Sequence, residues 1–261
     1  MNRTVQVVAL SLGLAGPARA DDIAGLRAEL HDASEGKAVE AAQKLAEDPS
    51  AGAVDAILDE LALGAPPKVE AELIAGLATR KDPRTIDVLS HYAQNRNSLL
   101  RKRAVNALAQ IQDPRITPLL VAALSDGVAD VRAAGARALA NRKERSPQVE
   151  DALVKLLAHK DEAAVTALGI LGGPGTARRL GELFGQIPDG LIANTFSELL
   201  NRPDFGPDPL RVEVIKAVGK LTGPESTAAL KDYIRATEKD KDRPSSKEAR
   251  RLIELRGAQD K

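Results

Sequence analysis

Lys81 to Leu89 reads KDPRTIDVL, and Gln112 to Leu120, thirty-one residues on, reads QDPRITPLL. A phrase written twice is either a site used twice or the joint of a repeating unit. The flanks decide between them. Upstream of the first copy lies VEAELIAGLA (Val69–Ala78), and upstream of the second lies LRKRAVNALA (Leu100–Ala109). A third version, VRAAGARALA, runs from Val131 to Ala140. Large apolar residues match from copy to copy: Val69 with Leu100, Ile74 with Val105, Leu77 with Leu108. Their spacings of three, four and five residues are helical spacings.

The phrase itself opens a second helix. Pro83 and Leu89, Pro114 and Leu120, Pro147 and Leu153, Pro174 and Leu180, and Pro224 and Leu230 each stand six residues apart. Proline suits the first turn of a helix because it has no N–H to leave unsatisfied and its φ is already helical. The residues before it, Asp82, Asp113, Ser146, Gly173 and Gly223, are of cap-forming types. The phrase recurs because a helix start recurs.

A two-helix unit of about thirty residues with a fixed apolar pattern is the signature of an α-solenoid. LRKRAVNALAQIQDPRITPLLVAALSD, VRAAGARALA and AVTALGILGGPGTARRLGELF resemble HEAT-like repeats of the bacterial type related to phycobilisome lyases, clearly from about Val69 to Leu230. The resemblance implies an all-α solenoid of helix pairs stacked in a right-handed superhelix, the second helix of each pair lining the concave side. Residues 21–261 are expected to hold about seven such repeats. Helices are expected near 22–32, 35–47, 50–63, 66–80, 84–95, 98–111, 114–125, 128–141, 147–158, 161–171, 174–185, 188–201, 209–221, 224–237 and 246–256. Ser245 and Glu248 have the spacing of a capping box for the last, which reads as a charged terminal cap. The register slips near 201–209. AVNALA at 104 and AVTALG at 164 lie two units apart, but VIKAVG follows at 214, so one partner helix is expected to be shortened or lost.

Composition narrows the function. With no cysteine, disulfides, thiolate catalysis, cysteine-ligated zinc and amino-terminal lipid attachment are excluded. Two Tyr, three Phe and no Trp leave Ala, Leu, Val and Ile to build the core. Residues 1–20 read as a signal peptide. Arg3 precedes an apolar run from Val5 to Ala15, and Ala18-Arg19-Ala20 offers a small-x-small cleavage site followed by Asp21-Asp22. Export to the periplasm or beyond is the expectation, with cleavage after Ala20. The run is too short to span a bilayer, and no other segment is apolar enough to do so. Residues 21–80 carry 5 basic and 13 acidic side chains, whereas residues 81–145 carry 12 basic and 6 acidic. That contrast also permits head-to-tail self-association, although the sequence fixes no oligomeric state.

No constellation points to catalysis, a metal or a cofactor. Iron-binding HEAT-like proteins carry repeated His-Glu pairs, and none of His31, His91 or His159 is followed by Glu. Ser90 and His91 are adjacent on one helix and diverge by about 100°. Leu171-Gly172-Gly173-Pro174-Gly175 lacks the Lys-Ser/Thr of a phosphate loop and falls at an inter-helix turn. The basic segment allows two readings. Arg101 and Arg132 occupy equivalent positions, where HEAT-like repeats pair an Arg with a turn acid such as Asp126. Alternatively Arg101, Arg103, Asn106, Arg132 and Arg137 form a surface for an anionic partner. Phe205, in the loop NRPDFGPDP, is a candidate for display on a binding loop. The expected function is a non-catalytic envelope scaffold holding a protein or peptide partner on the concave face. A lyase-like enzyme or enzyme accessory is the alternative by fold analogy. Nucleic acid, the other anionic partner, is disfavoured by the leader.

Overall fold

The computed structural model describes residues 20–80 and 82–259. The leader expected over residues 1–20 lies outside them, apart from Ala20, which opens the first helix. Every regular element of the described residues is helical. In chain order these are α1 (Ala20–Glu29), α2 (Glu35–Glu47), α3 (Ala51–Leu63), α4 (Pro67–Gly76), α5 (Arg84–Tyr92), α6 (Ser98–Leu108), α7 (Ile116–Ala123) and α8 (Ala129–Asn141). There follow α9 (Pro147–Ala158), α10 (Ala163–Leu171), α11 (Pro174–Glu182), α12 (Asp189–Asn201), α13 (Asp208–Lys220), α14 (Pro224–Ala236) and α15 (Pro244–Gln259). Among the described residues no helix is long and apolar enough to cross a membrane.

The repeated phrase does at its joint what its letters require. The Asp82 and Asp113 carboxylates accept the backbone N–H of Arg84 (2.9 Å) and Arg115 (2.8 Å), two residues on. The guanidinium of the same arginine folds back onto the same carboxylate, at 3.0 Å for Arg84 Nε and 3.1 Å for Arg115 Nε. These arginine hydrogen bonds, then the backbone ones, hold both aspartates below the usual carboxylate range. Each DPR therefore satisfies an otherwise unpaired amide at a helix start with its own side chains. Ser146 serves α9 in the same way, its hydroxyl accepting from Val149 N–H at 3.3 Å.

The chain divides into two compact units, Met1–Thr85 and Ile86–Lys261. In the first, α2 packs on α4 and α1 on α3. In the second, alternate helices form two layers. Each Pro-opened helix packs mainly on the helix that follows it, α7 on α8 and α9 on α10, so it is the first of its pair and not the second, as the order in the sequence phrase suggested. The second helices α6, α8, α10 and α12 stack closely on one another, while α7, α9 and α11 touch more sparsely. Small residues permit the close stacking. A Cβ on Gly169 of α10 would stand 2.3 Å from Glu198 Cβ of α12, and one on Gly76 of α4 would stand 2.7 Å from Ala46 Cα of α2. The residues matched in sequence are buried in each unit: Val69, Ile74 and Leu77 in the first, and Leu100, Val105, Leu108, Val131 and Leu139 in the second. So are the five leucines of the Pro–Leu pairs, Leu89, Leu120, Leu153, Leu180 and Leu230.

One expectation is corrected. Ser245 and Glu248 form no capping box, because α15 begins one residue earlier, at Pro244. Ser245 instead bonds Asp208 through its hydroxyl and lies 2.8 Å from the Tyr233 hydroxyl, and Glu248 pairs with Arg251 at 2.7 Å. The register slip takes the second of the two forms expected for it, a partner helix lost and not shortened: a whole first helix is absent. The sixty residues from AVNALA to AVTALG cover four helix steps, α6 to α10, whereas the fifty to VIKAVG cover three, α10 to α13. Helices α12 and α13, each of 13 residues, follow one another across residues 202–207. In consequence α13, whose sequence is that of a second helix, stacks on α15, and α14 stacks on α12.

Candidate functional site

The basic segment is built from turns. Asn95, Asp126 and Asp161 each begin the turn before a second helix, and each side chain accepts the backbone N–H two residues on: Asn97 at 2.8 Å, Val128 at 2.8 Å and Ala163 at 3.0 Å. In the first turn of the helix that follows, an arginine reaches back to the same turn. Arg101 Nη1 donates to the Asn95 carbonyl and Arg132 Nη1 to the Asp126 carbonyl, both at 2.8 Å. Each then reaches forward to the next repeat. Arg101 grips Asp126 with two bonds, Nε to Oδ2 at 2.6 Å and Nη2 to Oδ1 at 2.8 Å, and Arg132 Nε bonds Asp161. The result is a ladder, Asn95–Arg101–Asp126–Arg132–Asp161, running along the stack. Arg101 and Arg132 are thus ladder members, with side chains 16% and 23% exposed.

The Arg101 hydrogen bond, aided by the Val128 amide, pulls the Asp126 pKa below its ordinary value against the cost of burial. A carboxylate whose folded pKa is depressed adds stability that is complete above the unfolded pKa of ~3.9. That stability is lost as pH falls through the folded pKa. Asp126→Asn keeps the turn, as Asn95 does one repeat earlier, but loses the charge. It is expected to cost about 1–3 kcal/mol at neutral pH. Urea unfolding at several pH values checks this: the gap between variant and wild type should close as pH drops below about 4.

A second set of arginines has no counterpart in the sequence reading. Arg80 Nη2 donates to the Ala46 carbonyl at 2.7 Å, and Arg142 Nη1 to Ile111 at 2.5 Å. Arg202 Nη1 donates to Gly172 at 2.6 Å and Arg256 Nη2 to Leu221 at 2.9 Å. Each follows or ends one helix and binds carbonyls at the carboxy-terminal end of the helix stacked before it, where unpaired acceptors and the negative pole of the dipole both favour a cation. The signal was present as a basic residue after a short apolar run, in LATR80, LANR142 and LLNR202.

Phe205 is corrected outright. It is 2% exposed, and the Arg211 guanidinium lies 5.9 Å from its ring centroid, so residues 202–207 wrap a buried ring and display no aromatic residue. Other basic groups are also engaged: Lys102 with Asp130 at 2.7 Å, and Arg145 with Asp204 at 3.0 Å. Arg103 and Asn106 are half-buried on α6.

Arg137 differs. It is exposed on α8, one repeat beyond Asn106, and makes no ion pair among the described residues. It borders a groove of about 240 Å³ between α8 and α10, whose floor is Ala133, Ala140, Ala163, Ala167 and Ile170 and whose polar groups are Arg137, Asn141 and Thr166. Position 166 is again the repeat equivalent of 106 and 137. The candidate surface is therefore this groove in the closely stacked layer. Of the six residues first considered, Arg137 lies in it, Asn106 occupies its equivalent on α6, Arg103 lies on α6 outside the groove lining, Arg101 and Arg132 are joined through Asp126, and Phe205 lies apart.

Comparison with known proteins fits the geometry. The family model of HEAT repeats matches residues 54–140 and 117–201. Among solved structures, YibA from E. coli superposes with a TM-score of 0.53 at 18% identity, covering 90% of this chain and 81% of that one. The complex of CpcE and CpcF of phycocyanin lyase from Nostoc matches with a TM-score of 0.44 at 16% identity, covering 96% and 99% of the respective chains. No curated protein matches the sequence. The matched repeats take in more than half of the residues, and the chain belongs to the HEAT-repeat family.

Proposed function

We propose that this protein is a non-catalytic scaffold that holds a protein or peptide partner on its layer of second helices, and that it does so in the cell envelope after loss of residues 1–20. The observation that carries the reading is the α8–α10 groove, where a floor of small apolar side chains lies beside an exposed arginine that stacking does not use. The closer stacking of this layer supports reading the groove as part of the inner side of the second unit. The leader pattern in residues 1–20 supports the location. A shallow apolar strip gives a partner backbone or side chain a place to lie, and the guanidinium sets charge and register.

The test is retention of partners from envelope extracts by the mature protein and by Arg137→Glu. Because Arg137 takes no part in the ladder, helicity should be unchanged while the partner is lost. A partner list unaltered by the substitution overturns the surface.

A further inference from the structure

The opposite layer carries a second opening. A cleft of about 860 Å³ lies between α7 and α9, within the range of ligand sites. α7 has 8 residues and α9 has 12, so with Leu120 and Leu153 equivalent α9 runs two residues beyond α7 at each end. Lys155, in the last turn of α9, and His159, its C-cap, line the cleft at that end.

The charges lining the cleft are not balanced once existing bonds are removed from the count. Its three carboxylates are all held by arginines: Asp126 by Arg101, Asp161 by Arg132 and Asp151 by Arg179. What remains is a set of donors. Lys155 and His159 are exposed and make no side-chain hydrogen bond or ion pair among the described residues, and Arg132 uses Nε and Nη1 but not Nη2. Beside these donors the wall is apolar, formed by Val121, Leu124 and Leu156.

We propose that this cleft binds an acidic peptide segment, with carboxylates on Lys155, His159 and the free Nη2 of Arg132 and an apolar side chain against Leu124 and Leu156. Charge complementarity selects this occupant, since a basic segment would find every acid already paired. Mixed polar and apolar walls fit a peptide better than a bare phosphate chain. The site is on the other layer from the α8–α10 groove and does not depend on it.

Fluorescence anisotropy of the full chain tests it, with a labelled peptide of alternating Glu-Glu-Leu triplets as probe. A peptide with Lys in place of Glu and a short single-stranded DNA serve as comparisons. Saturable binding is expected for the acidic peptide alone. It should weaken by about tenfold or more in Lys155→Glu, weaken further in Lys155→Glu/His159→Gln, and stay unchanged in Arg137→Glu. Both substituted residues are exposed, so circular dichroism should show the fold intact. Equal affinity in the double variant, absence of saturable binding to the wild type, or tighter binding of the DNA would each overturn the proposal. Loss of binding in Arg137→Glu alone would also overturn it, by placing the peptide in the other groove.

Discussion

Replacing Arg211 with Met is expected to lower the unfolding free energy by about 3–5 kcal/mol, the cost of leaving buried polar groups unpaired when one partner of a charged network is removed. Arg211 is 4% exposed and donates to four carbonyls: Leu200 at 2.7 Å, Arg202 at 2.6 Å, Pro203 at 3.1 Å and Gly206 at 3.2 Å. None of these partners is a carboxylate. The positive charge is instead met by backbone dipoles at the end of α12, where unpaired carbonyls and the negative helix pole coincide, and by the face of Phe205. Methionine fills much of the space but leaves those acceptors without donors. Lysine keeps the charge but lacks the planar fork that spans several acceptors, so Arg211→Lys should recover little. Urea denaturation gives the number. A loss below about 1 kcal/mol would mean that water takes over the carbonyls and that Arg211 does not organise residues 202–207.

Leu108→Ala is expected to cost about 2–5 kcal/mol, the range for deleting a buried leucine side chain. Leu108 is 0% exposed and holds the position taken by Leu77 and Leu139 in neighbouring repeats. On the same helix Lys102 faces solvent, 39% exposed, and its bond to Asp130 joins a partner 71% exposed. Exposed pairs contribute ~0–1 kcal/mol, so Lys102→Ala should be near neutral. Similar losses for the two substitutions would contradict the helical phase of α6.

The helices were legible in the sequence because their signals are local. Apolar spacing within ten residues placed Leu77 and Leu108 in the core, and the Pro–Leu pair marked the starts of alternate helices, although the order in the sequence makes each the second of its pair where the stack makes it the first. Fifteen helices were expected and fifteen are found among the described residues, with α2 and α9 bounded as expected. The pairing of Arg101 with Asp126 was also within reach, since both recur at repeat-equivalent turns. What the sequence hid were bonds between repeats. Arg142 and Arg202 look like surface charge, and only the stack brings each to the end of an earlier helix. Phe205 misled for a related reason. A loop with three prolines and a glycine reads as exposed, yet its carbonyls converge on an arginine contributed by α13. Arg137 was legible as a candidate but not as the exception. It stands out only after its neighbours' charges are assigned to the ladder and the helix ends.

Stacking engages most of the basic middle of the chain, and the proposal is that a partner lies along the second helices beside Arg137. Site-specific photocross-linking from Thr166, within the α8–α10 groove, tests it most directly, with the crosslinker at exposed Arg178 on α11 as the control for the other layer. The predicted result is a partner adduct formed from position 166, absent from position 178, and lost when Arg137→Glu is added. The same adduct formed equally from both positions, or persisting with Arg137→Glu, would contradict the account.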